Sequence, residues 1–165
     1  MAIIIPSQDK KDKKLISIED TRFIFATNFA GDPERDTFGS TARKANVIIN
    51  DTRQVDELIE MGVNVRQTKP RPGFEEEFTP EYFVAIKVNY DTDWPPKIFL
   101  VSGDAEPVLL DEDSIGILDK CYVNNVNVVL NPYTNNRIGT TSLYVRTMYV
   151  EQSVEDDPFA ARYIR

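Results

Sequence analysis

The chain has no histidine and a single cysteine, Cys121. Without histidine there is no Ser–His–Asp triad, no Cys–His pair and no imidazole ligand for a metal. One cysteine excludes an internal disulfide and any cysteine-cluster zinc site, and it fits a reducing compartment. Tyr122 and Val123 follow it and Lys120 is the only basic neighbour, so Cys121 reads as a packing thiol and not as a nucleophile. Long hydrophobic runs are missing too. Stretches such as Ala2–Pro6 and Val128–Leu130 fall far short of the ~20 residues a membrane-spanning helix needs. Apolar residues precede the first charges at the N-terminus, the reverse of a secretory signal, so the expectation is a cytoplasmic protein with no membrane partner. Cations are also in deficit: 19 Lys and Arg stand against 27 Asp and Glu, a net charge of −8. At face value that charge argues against a polyanionic ligand.

What is present is a chain of 165 residues, 41% of them hydrophobic, enough to bury a core in one domain. The apolar residues mostly alternate. Ile16–Ile18, Arg22–Phe29, Ala45–Asn50, Tyr82–Tyr90, Ile98–Ser102, Val126–Leu130 and Leu143–Val150 read as strands. Turn formers from Asn131 to Asn136 predict the turn of a last hairpin. Two short helices interrupt the strands. Asp51 caps the first, with Val55, Leu58 and Ile59 on its apolar stripe and Gly62 as its stop. The second begins near Asp111, with Ile115 and Leu118 facing inward. The segment Gln67–Pro80, with three prolines and three consecutive glutamates, reads as a long mobile loop of the kind that carries function. This pattern predicts a mainly β domain, barrel or sandwich, with helical inserts. Residues 1–14, with the mixed charges of Ser7–Lys14, are expected as a flexible arm, residues 15–150 as the domain and residues 151–165 as an acidic tail.

No motif argues for catalysis. The acidic groups Glu75–Glu77, Asp104 with Glu106, Asp111–Asp113 and Glu155–Asp157 lack the spacing and the central glycine of a calcium loop. They read as solvated faces and helix caps. There is no glycine-rich phosphate loop and no clean βαβ alternation. The expectation is therefore no catalytic residue, no metal and no cofactor.

The charge is unevenly spread. Residues 1–72 carry 12 basic and 11 acidic side chains, whereas residues 73–165 carry 7 and 16. Basic residues of the first half flank strands and the long loop: Arg22, Arg43, Lys44, Arg66, Lys69 and Arg71. Aromatic residues are interleaved with them. A groove of cations tracking phosphates, with aromatic faces for the bases, is how single strands are held without sequence readout, at about 1–3 kcal/mol per stacked base. Phe23 and Phe25 alternate within a strand and read as core. Phe29, Phe38 and Trp94 lie in or beside loops, where core and base-stacking roles are both open.

The segment Asn28-Phe29-Ala30-Gly31, followed by Arg35, Phe38-Gly39 and Arg43-Lys44-Ala45-Asn46-Val47, resembles the opening of a family of bacteriophage single-stranded DNA-binding proteins. The order continues with Gly62-Val63-Asn64-Val65, the Tyr82–Tyr90 strand, Pro95-Pro96-Lys97-Ile98, Leu130-Asn131-Pro132-Tyr133, and Leu143 to Val150 with its Arg146-Thr147-Met148-Tyr149-Val150 ending. The resemblance implies an OB-fold-like Greek-key barrel with additional strands or hairpins and two short helices. It implies a non-catalytic protein that coats single-stranded DNA in phage replication or recombination, largely independent of sequence. Phe29, Arg43, Lys44, Lys87 and Arg146 come over as strand-face contacts, and Arg22, Phe38, Lys69, Arg71 and Trp94 join them as candidates from the cation and aromatic pattern. Glu155, Asp156, Asp157 and Phe159 resemble an acidic tail that docks replication or recombination proteins. A homo-oligomer is left open. The alternative function is an acidic phage protein that mimics DNA and inhibits a host protein, motivated by the net −9 of residues 73–165. A carboxylate-metal nuclease is a third reading.

Overall fold

The computed structural model describes residues 2–6 and 14–153. Alternation of apolar and polar residues produces β1 (Ala2–Pro6), β2 (Lys14–Thr21), β3 (Phe23–Asn28) and β4 (Arg43–Ile49). Helix α1 (Thr52–Glu60), β5 (Arg66–Gln67), β6 (Tyr82–Val88), β7 (Lys97–Ser102), β8 (Val108–Leu110), β9 (Val123–Asn135) and β10 (Thr140–Gln152) follow. They form one sheet in the order β1-β2-β9-β10-β6-β4-β3, with β5 on β6, β7 on β10 and β8 on β7. Most pairings are antiparallel. β10 runs parallel to β6, through Tyr144 and Lys87, and parallel to β7.

β2 and β3 are halves of one strand parted only at Arg22. The first half pairs with β9 and the second with β4. No ladder joins β2 to β3, so hydrogen bonds do not close the sheet; the bent strand brings its two ends together covalently. The result is a mainly β, OB-like Greek-key arrangement, with β1, β7 and β8 as additions. One face of each strand builds the core: Ile16 and Ile18 of β2, Val47 and Ile49 of β4, Val84 and Ile86 of β6, Val128 and Leu130 of β9, Leu143 and Met148 of β10 are all buried. Burying each side chain of this kind stabilises the fold by about 1.5–3 kcal/mol relative to exposure.

The first expected helix forms. Asp51 accepts a hydrogen bond from the Arg53 amide at 2.9 Å, and Gly62, at φ 89°, follows its end. Its buried residues are Gln54, Val55 and Leu58, and Ile59 is exposed. The Gln54 amide reaches the Ser17 carbonyl at 3.3 Å, which turns that flank of the helix to the barrel. The second expected helix is a 3-10 turn, Ile115–Asp119, with Ile115 and Leu118 buried as its three-residue period allows. Asp111 holds the turn that precedes it, accepting from the Ser114 amide and from Ser114 Oγ, both at 2.9 Å. Ala2–Pro6, within the expected arm, pair antiparallel with β2. The last hairpin is longer than its turn formers indicate. β9 runs on through Asn135, and the turn closes with the Gly139 amide donating to Asn135 at 2.8 Å.

Candidate nucleic-acid interface

The strands that bury one face present the other outward. Cross-strand partners share a face, so the register defines its rows. Lys44 lies opposite Lys87, Lys87 beside Tyr144, and Tyr144 opposite Asn131. Toward the α1 end, Asn46 lies opposite Ala85, then Ile48 opposite Phe83, which also pairs with Arg66. Tyr133 faces Ser142 across the hairpin. No carboxylate lies in β4, β5, β6, β9 or the stretch of β10 up to Val150, although the chain has 27.

The cations on these strands are held in different ways. Lys87 is exposed, with its ammonium 6.0 Å from the centre of the Tyr144 ring and 3.5 Å from Ser142 Oγ. Arg146 is exposed at a bulge between Val145 and Thr147, a device that re-aims a side chain. Lys44 is already paired with Asp36, 2.6 Å away. Asp36 also accepts from the amides of Phe38 and Ser40, and these bonds, the one from Lys44 foremost, pull its carboxyl down to about 2. Arg66 sits with its guanidinium carbon 5.6 Å from the centre of the Phe83 ring.

One expected contact is corrected by the structure, and a second is engaged within the fold. Phe29 is completely buried, edge-on to Phe23 with ring centres 5.2 Å apart, so no base can stack on it. Its amide and that of Ala30 donate to the Asp119 carboxylate at 2.8 and 2.9 Å, which turns the chain inward there. Arg43 shares its strand face with the buried Ala45 and Val47, at the end of the barrel. It donates to the Phe29 carbonyl at 2.7 Å and lies over the Tyr90 ring, with its guanidinium carbon 5.5 Å from the ring centre.

The other candidates are scattered around the face. One guanidinium nitrogen of Arg22 donates to both oxygens of Glu81, at 2.8 and 3.0 Å. Phe38 and Trp94 are 94% and 89% exposed in loops that adjoin the Lys44–Lys87 end of the rows. Lys69 and Arg71 are exposed in the loop after β5, and neither forms an ion pair among the described residues. Glu155, Asp156, Asp157 and Phe159 lie outside the described residues. Residues that the sequence pattern missed are Tyr144, Asn131 and Phe25. Tyr144 and Asn131 carry a readable signal, since Tyr144 lies between the buried Leu143 and Val145 and Asn131 follows the buried Leu130, in stretches without carboxylates. Phe25, read as core, is 62% exposed.

Nothing in the described residues provides a metal centre: no group of three or more Asp, Glu or Cys side chains is placed to hold an ion. Burial pushes the Cys121 thiol up, away from the reactive thiolate. No helix of the described residues is long and apolar enough to cross a membrane.

The model of the family described as "Putative phage ssDNA-binding domain" matches residues 6–165. The chain belongs to this family. Among solved structures, this phage single-stranded-DNA-binding domain is similar to the single-stranded DNA-binding protein of bacteriophage Enc34 (12% identity, TM-score 0.48, covering 99% of this chain and 96% of that one). The same protein in complex with single-stranded DNA is also similar (10%, 0.46, 94% and 98%). So is gp2.5, the single-stranded DNA-binding protein encoded by bacteriophage T7 (13%, 0.42, 93% and 96%). No curated protein matches the phage domain.

Proposed function

We propose that the domain holds single-stranded DNA across the outer face of β4, β6 and β10 and coats it during phage replication or recombination, without catalysis and inside the host cell. The observation that carries this reading is the absence of carboxylates from β4, β5, β6, β9 and β10 up to Val150, in a chain of net charge −8. A phosphate backbone approaching there meets Lys87, Arg146 and Arg66 and no fixed negative charge on those strands. Tyr144 and Tyr133 offer rings on the same face, and Phe38 and Trp94 reach it from neighbouring loops. Contacts to phosphate and to base faces are indifferent to sequence, which suits a protein that covers whatever strand is exposed. In this reading residues 15–150 bind DNA, and the acidic segment 151–165 serves protein partners.

The test is the charge-reversed double variant Lys87→Glu with Arg146→Glu, measured by gel shift and by salt titration. Each phosphate contact on a single strand contributes about 0.7 to the slope of log affinity against log salt. Losing both contacts should lower affinity at low salt at least ~10-fold and flatten the slope by about 1.4. Unchanged affinity and slope, in a variant that melts like the parent, place the DNA elsewhere.

A further inference from the structure

Phe25 runs against local preference in both its backbone and its side chain. Its φ is +62°, in the left-handed region that an aromatic residue rarely adopts. The β3–β4 register breaks between Ile24 and Asn28, which leaves Phe25 unpaired with β4. The left-handed step takes Phe25 out of the inward set that it would share with Phe23 and lays its ring on the outer face. There it leans edge-on against Phe83, ring centres 5.1 Å apart and planes at 76°. Arg66 covers the same Phe83 ring. Phe83 is buried, so the exposed aromatic surface at this end of the rows is that of Phe25. Lys87 lies four residues along β6 from Phe83, about 13 Å at ~3.3 Å per strand residue. Glycine or asparagine would suit the backbone better, and the core gains little from a ring that is 62% exposed.

We propose that Phe25 is a nucleobase-stacking subsite, supported from below by Phe83, with Arg66 beside it to meet the phosphate of the stacked nucleotide. This rests on the placement of DNA on the β4–β6–β10 face. The strand then runs from Lys87 and Tyr144 toward the α1 end and leaves a base on Phe25.

Two variants of the full chain test it. Phe25→Asn should keep or raise the thermal midpoint, because asparagine accepts the left-handed conformation. It should weaken binding to oligothymidylate at least about five-fold, the low end of what one stacked base contributes. It should leave binding to an abasic oligonucleotide of the same length unchanged. Phe25→Trp, made in a Trp94→Phe background, should bind as Trp94→Phe alone does, with its fluorescence quenched on addition of oligothymidylate. Parental affinity in Phe25→Asn, equal losses on both oligonucleotides, or an unquenched Phe25→Trp overturns the subsite. If these failures occur while Lys87→Glu with Arg146→Glu still abolishes binding, the subsite falls and the interface stands. If neither set changes binding, the interface falls as well.

Discussion

Lys44 shows how a single residue's role depends on what the fold sets beside it. It projects from β4 opposite Lys87, yet Asp36 from the preceding loop occupies its ammonium at 2.6 Å. A DNA phosphate must displace that carboxylate to gain the contact. Asp36→Asn keeps an oxygen for the amides of Phe38 and Ser40 and removes the competing charge. The expected outcome is tighter binding at low salt and a slope steeper by about 0.7, one phosphate. A salt titration that matches the parent would mean that Lys44 takes no part. The pair is not a pH switch. The Asp36 carboxyl is depressed from 3.8 to about 2, so the stability it contributes is present above its unfolded pKa and is lost only as pH falls through about 2. Binding measured between about pH 5 and 8 should therefore show no step from this group.

Two phenylalanines show where residue-level legibility ended. Alternation puts Phe23 and Phe25 together in the core and leaves Phe29 open, but the fold buries Phe29 and exposes Phe25. The inversion has two causes. A left-handed φ at Phe25 breaks the period of two, and a carboxylate about ninety residues away, Asp119, draws the Phe29 amide inward. Neither cause leaves a local signal in the sequence.

Among elements, the link between β3 and the 3-10 turn Ile115–Asp119 sets the root of the loop that carries Asp36 and Phe38. The Asp119 side chain, 1% exposed, accepts from Thr27 Oγ1 and from the amides of Phe29 and Ala30, and Arg35 lies 3.8 Å from it. Asp119→Ala leaves buried donors unsatisfied and should cost about 3 kcal/mol of stability, measured by urea unfolding. A cost below about 0.5 kcal/mol, the range of surface substitutions, would show that the anchor is dispensable. Elements were the most readable level. All seven expected strands form, as does α1 with its Asp51 cap and Gly62 stop. The short strands β5 and β8 were not readable, because two or three residues hold no period. Nor was the continuation of β9 through Asn131–Asn135, where turn-forming residues are held in a ladder by pairing with β10. A 3-10 turn replaced the second helix because Ile115 and Leu118 match a three-residue period as well as an α-helical one.

For the whole molecule, the net charge of −8 conceals a division of labour. Carboxylates crowd the loops, β2, α1 and the end of the chain, and they are missing from β4, β5, β6, β9 and β10 up to Val150. Net charge speaks to solubility and long-range steering, whereas binding is decided by charge at the surface of approach. The sequence shows the imbalance between its halves, but only the register sets Lys87, from the acidic half, opposite Lys44 and beside Tyr144, with Arg146 two residues further along β10. The central claim, that single-stranded DNA lies on the β4–β6–β10 face, is tested most directly by photocrosslinking the full chain to an oligonucleotide bearing 5-iododeoxyuridine and mapping the modified residues. Crosslinks at Tyr144 and Phe25, with Phe38 or Trp94 beside them, are the predicted result. Crosslinks confined to β7 and β8, at Phe99, would contradict it.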